Sequence, residues 1–243
     1  MVILSPELEK ELRKEEALYP ASDGKPMADN TKQLRWIVTI YTGLAGMFRD
    51  DPNVFVAADL LWYPVYGHPK IRSAPDVMVV FGRPKGDRTA YRQWREENIP
   101  PQVVFEIVSP NNRFHELMDK LAFYDQYGVE EYYLYDPDRG SLDGWIRREG
   151  RLQPIEELEG WVSPRLGIRF GLDEGQLVLV RPDGERFLSP EESERQREEA
   201  RRLAEQERQR AEQERQRAEQ ERQRAERLAA RLRELGVEDV NDL

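Results

Sequence analysis

From position 34 onward, Leu34, Ile37, Val38, Tyr41, Leu44, Ala45 and Phe48 recur at intervals of three and four, the spacing of one helix face. Asp29 or Asn30 stands where a short polar side chain caps a first turn. The period then shortens. Val54 to Pro64 reads as a strand, Tyr66-Gly67-His68-Pro69 as a turn, and Asp76 to Phe81 as the returning strand of an antiparallel pair. Gln102 to Ser109 is a near-continuous apolar strand interrupted by Glu106, the pattern of a central strand covered on both faces. Helical spacing returns from Arg113 to Tyr127, which places Phe114, Leu117, Met118, Leu121 and Tyr124 on one face, with Gly128 as the stop. Glu131 to Pro137 is the next strand. Short strands around 144–147, 152–155 and 176–180 read as a hairpin annex to the sheet. Helix, hairpin, central strand, helix and strand in this order predict an α/β fold, a mixed β-sheet flanked by helices.

Beyond Ser189-Pro190 the pattern changes to Glu, Gln, Arg and Ala, and Ala204-Glu205-Gln206-Glu207-Arg208-Gln209-Arg210 recurs every seven residues from Ala211 and Ala218. This predicts a long C-terminal helix, with Glu205 to Arg208 and Glu207 to Arg210 as supporting pairs. A coiled coil wants two apolar positions per heptad and each repeat offers one alanine. A solvated single helix, weak self-association and docking of a protein partner therefore all stand as readings of the tail. Leu228, Leu232 and Leu235 add apolar surface before Gly236. The chain divides into an N-terminal lead over 1–28, a main domain over 29–189 and a helical tail over 190–243.

Composition narrows the chemistry. With 243 residues, 39% apolar and 35% charged, the chain has material for one core of ordinary size plus an extension. No apolar run approaches a membrane span, and the first residues lack the pattern of a secretory signal, so a cytoplasmic protein is expected. Absence of cysteine excludes disulfides and thiolate metal sites, and His68 and His115 are the only imidazoles. A metal would be held mainly by oxygen, which favours magnesium, manganese or calcium. The net charge of −10 argues against a protein that coats nucleic acid through a basic surface. Lys70, Arg72, Arg83, Lys85, Arg88, Arg92 and Arg95 cluster between two acidic motifs, and their interleaving with Asp87, Glu96 and Glu97 reads most simply as solvated loop surface.

Those two motifs carry the candidate chemistry. Asp76 precedes Val77-Met78-Val79-Val80, and Glu106 sits between Val103-Val104-Phe105 and Ile107-Val108. A carboxylate inside such a run is costly to bury unless a positive partner compensates it. Two carboxylates on neighbouring strands would repel, and a divalent cation resolves the conflict. The backbone carbonyl of Ile107 is available as a third oxygen ligand. Lys120, at the rim of the following helix's apolar stripe, is placed to snorkel into the cleft and offset charge on a phosphoryl group. Asp59 interrupts its strand and either reaches the site or faces an edge. Gln33 occupies the apolar face of the first helix, four before Ile37, and either joins the site or serves a buried amide network.

Pro75-Asp76, Phe105-Glu106-Ile107-Val108-Ser109-Pro110-Asn111, Asp119-Lys120 with Tyr124, Gly128-Val129, Glu131-Tyr132 and Asp136-Pro137 together resemble the Uma-two family of the PD-(D/E)XK superfamily, over about residues 25 to 185. The resemblance implies a restriction-endonuclease-like fold and endonuclease activity on DNA (or RNA) with Mg2+ or Mn2+. It also implies Asp76, Glu106 and Lys120 as catalytic residues, with Asp76, Glu106 and the Ile107 carbonyl as metal ligands. The superfamily pattern places lysine two residues after the second acid, where this chain has Val108. In the Uma-two branch the lysine lies on the next helix, so Lys120 takes that role. A homodimer is expected because cutting both strands often takes two sites. The alternative is an inactive nuclease-like scaffold that binds partners through its C-terminal helix.

Overall fold

The computed structural model describes residues 5, 7, 14–22, 24 and 26–234. Leu235, Gly236 and most of the lead before residue 14 lie outside the described residues. The chain separates into two compact units, Met1–Pro190 and Glu191–Leu243.

Helix α1 covers Thr31–Met47, and Asn30 caps it by accepting the amide of Gln33 at 2.8 Å. Its buried face is rotated from the expected one: Gln33, Ile37, Thr39, Ile40 and Leu44 face inward, whereas Leu34 and Tyr41 are exposed. Thr39 tolerates burial because its hydroxyl donates to the Arg35 carbonyl at 2.8 Å.

Strands β1 (Val54–Ala58), β3 (Val77–Phe81), β5 (Val103–Ile107), β6 (Glu131–Asp136), β7 (Ser141–Arg148) and β8 (Arg151–Pro154) form one mixed sheet in the order β1-β3-β5-β6-β7-β8. The β1–β3 pair is antiparallel as expected, and β5–β6 is parallel, joined through helix α2 (Phe114–Gln126). Every residue of β5 is buried, which matches its apolar run. The strand expected from Val54 to Pro64 is broken: Asp59 turns into the left-handed region (φ 48°), and Trp62–Tyr63 forms β2, paired in parallel with β4 (Tyr91–Arg92) outside the main sheet. Nor are β7 and β8 an annex, since they extend the main sheet. The separate hairpin is β9 (Arg169–Asp173) with β10 (Gln176–Val180).

Alternation divides the core. On one face Val77, Val79, Val103, Phe105 and Tyr133 pack with Ile37, Ile40 and Leu44 of α1 and with Phe170 and Leu179 of the hairpin. On the other, Met78, Val80, Val104 and Tyr132 pack with Tyr124 of α2 and with Trp62. Helix α2 lies lower than its stripe suggested: Tyr124 is fully buried, but Phe114 and Met118 are exposed. The basic stretch is only in part solvated loop: Lys70, Lys85 and Arg95 are exposed, but Arg92 is buried and Arg83 and Arg88 are drawn in. Glu96 pairs with Arg83 at 2.9 Å and Arg88 at 2.7 Å, and Arg88 also covers the Phe55 ring.

One close approach gives a stability prediction. Gly43 of α1 lies under Phe187, and a Cβ there would sit 2.3 Å from a ring carbon. Gly43→Ala should therefore lower stability by about 1–2 kcal/mol, overpacking outweighing the gain of roughly 1 kcal/mol in helix propensity. Urea unfolding checks this; a midpoint at or above wild type would contradict it.

Helix α3 (Pro190–Glu234), all but its first residue in the second unit, is about 68 Å long at 1.5 Å per residue. Its Leu203 and Leu228 are exposed. Support comes from bonds one turn apart, such as Gln209 and Gln216 donating to Glu205 and Glu212, and from the Arg215–Glu212 pair at 3.2 Å.

Candidate active site

In the antiparallel register of β3 and β5, Val77 faces Phe105 and Met78 faces Val104. One step further, the same register sets Asp76 opposite Glu106, on the α2 side of the sheet, where β3 begins and β5 ends. Both are buried, at 7% and 3% exposure. The Ile107 amide donates to Asp76 Oδ2 at 2.6 Å, so the peptide following Glu106 fixes the first carboxylate.

Helix α2 supplies the rest. Its start is set by Glu116, whose side chain accepts the Arg113 amide at 2.9 Å. Lys120 and Tyr124 are four residues apart and share one helix face. Lys120 Nζ lies 2.6 Å from Glu106 Oε2, and the Tyr124 hydroxyl donates to Glu106 Oε1. Ser73 Oγ lies 3.1 Å from the Tyr124 hydroxyl. From α1, Gln33 Nε2 donates to the Ile107 carbonyl at 3.1 Å, and its own carbonyl accepts the Asp29 amide. Gln33 thus ties α1 to the end of β5. The left-handed turn at Asp59 brings its amide to the Pro75 carbonyl at 3.1 Å and places the residue on the wall of the same cleft.

That cleft has a volume of about 580 Å³ and is lined by Gln33, Asp59, Arg72, Ser73, Asp76 and Lys120 among others. Glu106 lies behind Lys120 and Tyr124. Sequence reasoning singled out Asp76, Glu106, Lys120, Ile107, Gln33 and Asp59, and all six converge around this point. It missed the donor roles of Tyr124 and Ser73. The four-residue spacing of Lys120 and Tyr124 was the available signal for the first; nothing local signals the second.

Burial raises the Asp76 pKa first and the neighbouring charge of Glu106 adds to it, reaching about 8 from 3.8. Lys120, the Ile107 amide and Gln33 act in the opposite direction without cancelling the rise. For Lys120, desolvation works against the charged form, but Glu106 and Asp76 outweigh it and its pKa is raised. Burial and Glu106 lift Tyr124 well above the usual phenol value, so it remains a donor.

Among the described residues no group of three or more His, Cys, Asp or Glu side chains is arranged to hold a metal ion. The candidate centre consists of two carboxylates and one carbonyl. Its donor set still fits a hard divalent cation: every donor is oxygen, and the Ile107 carbonyl keeps a lone pair beyond the one Gln33 uses. The Tyr132 hydroxyl, buried and coupled by charge to both acids, has no hydrogen-bond partner among the described residues.

A family model, Uma2, described as "Putative restriction endonuclease", matches residues 11–178. Among solved structures, the chain is similar to "a putative nuclease belonging to DUF820" from Anabaena variabilis, with 15% identity and a TM-score of 0.42, covering 59% of this chain and 79% of that one. No curated protein matches the sequence.

Proposed function

Because the chain belongs to the Uma2 family, we propose that it is a divalent-metal-dependent endonuclease that hydrolyses phosphodiester bonds in DNA at the Asp76–Glu106–Lys120 centre. The observation that carries this reading is the convergence of two buried carboxylates from adjacent strands with a lysine 2.6 Å from one of them, at the wall of an open cleft. Asp76, Glu106 and the Ile107 carbonyl would hold magnesium or manganese. When bound, such a cation polarises a phosphoryl oxygen and makes a water molecule more acidic.

The protein's own groups do the rest. Lys120 stays protonated, and its ammonium has three donors of which Glu106 takes one. The others are free to face a phosphate oxygen or the attacking water and offset negative charge developing on phosphorus. Tyr124 acts as a positioning residue: it holds the second oxygen of Glu106, and Ser73 holds Tyr124 in turn. Gln33 orients the Ile107 carbonyl. Asp59 adds negative charge beside Lys120, which favours the ammonium. Nucleases that cut both strands often use two such centres, so the reading includes a homodimer.

Incubation with plasmid and single-stranded DNA tests this. Cleavage is expected with magnesium or manganese and not with chelator, and Lys120→Met should lower the rate about a hundredfold. Undiminished cleavage by Lys120→Met would remove the lysine from the mechanism. Activity in chelator would remove the metal, and no cleavage of any nucleic acid would favour a scaffold.

A further inference from the structure

Beside the cleft lies a second surface that the chemistry above does not use. The turn leaving β2 places Tyr66 at 68% exposure, unusual for an aromatic ring. The ring stands edge-on to Trp94 at 5.5 Å and lies 6.5 Å from Tyr19, whose hydroxyl accepts the Gly67 amide. Tyr19 packs edge-on against Tyr63 at 5.2 Å, and the Tyr63 hydroxyl accepts Arg72 Nη1 at 3.2 Å. Arg72 also lines the cleft, so one chain of contacts runs from the exposed ring to the cleft wall.

The same turn is basic. Lys70 is exposed with no ion-pair partner among the described residues, His68 is exposed beside it, and no acid occurs between Tyr66 and Pro75. This contrasts with Arg83 and Arg88, which already pair with Glu96 and, for Arg83, Glu97. An exposed ring braced by other rings, next to free cations, is the pairing that holds an unpaired strand: the bases stack and the phosphates pair. The other highly exposed aromatic, Phe114, lines a pocket in which Asp136, Asp138 and Asp143 outnumber the one cation, Arg139, a poorer setting for a phosphate chain.

We propose that Tyr66, Lys70 and Arg72, braced by Trp94, form a docking surface for an unpaired nucleic-acid strand that leads into the cleft. This deepens the nuclease reading and rests on it for the cleft's role. Stacking on Tyr66 needs an unstacked base, so the surface selects single-stranded or frayed substrate over intact duplex.

The test is binding of a fluorescein-labelled twelve-residue oligothymidylate and a twelve-base-pair duplex at low salt in chelator, where no metal-dependent turnover occurs. The single strand should bind more tightly than the duplex. Tyr66→Ala should weaken single-strand binding about tenfold. Tyr66→Phe should stay within about twofold of wild type and Phe114→Ala should leave binding unchanged, since stacking needs a ring at 66 alone. Equal binding by Tyr66→Ala and wild type, preference for duplex, or absence of binding to the single strand would overturn the proposal. Because cleavage is not read, failure of the nuclease reading shows instead as missing metal-dependent activity with the binding pattern intact.

Discussion

Glu106→Ala is expected to reduce metal-dependent cleavage by roughly a thousandfold, the loss of about 4 kcal/mol of transition-state stabilisation. Glu106 would be a ligand, and it is also the group around which the site is organised. It accepts both the Lys120 ammonium and the Tyr124 hydroxyl, so its removal frees the two side chains that α2 contributes. The alanine variant also leaves a buried phenol without its acceptor, which costs stability. Glu106→Gln separates the effects, since the amide keeps an acceptor for Tyr124 and retains shape while removing the charge. Both variants should lose cleavage in single-turnover assays, and the glutamine variant should unfold closer to wild type. Cleavage that survives in either variant would remove Glu106 from the chemistry.

Asp76→Asn should also abolish cleavage, but with the opposite effect on stability in metal-free protein. The folded chain retains a proton on Asp76 up to about pH 8, whereas the unfolded chain releases it near 3.8. Between these values the native state binds more protons than the unfolded state, so this group's contribution to stability declines as pH rises. Asparagine removes that decline. The variant should be more stable than wild type by on the order of 3 kcal/mol at pH 8, with the difference shrinking toward pH 5. In wild type, magnesium should recover part of it, because a cation bound to the native state stabilises that state. Denaturant midpoints across pH 5 to 8, with and without magnesium, measure both effects. An Asp76→Asn variant less stable than wild type at pH 8 would show that the carboxylate is not held against repulsion and burial.

The site was legible in the sequence because burying charge is expensive. Glu106 amid valines, and Asp76 at the head of a similar run, were anomalies that needed compensation, and period-two patterning set their strands side by side. The antiparallel pairing of β1 with β3 and the central place of β5 followed from the same alternation. What escaped the sequence was set by contacts that the apolar pattern does not show. Thr39 counts as polar, yet it is buried because the Arg35 carbonyl one turn back accepts its hydroxyl, and this turned the face of α1. Interleaved charge at Arg83, Arg88, Glu96 and Glu97 reads as solvated loop, but the turns between them fold Glu96 back onto both arginines and Glu97 onto Arg83. Strand β9 was hidden by Gly171 at its centre, which pairs with Val178. The break at Asp59 needed a left-handed residue where no glycine announced one. In α2 the apolar residues share one face, but Phe114 at its first turn lies 75% exposed.

The most direct test of the central claim is anomalous diffraction from crystals of the protein soaked in manganese. One peak is expected within coordination distance of the Asp76 and Glu106 carboxylates and the Ile107 carbonyl, absent from Asp76→Asn crystals. Manganese bound elsewhere, with the pocket between the two acids holding only the Lys120 ammonium, would contradict it.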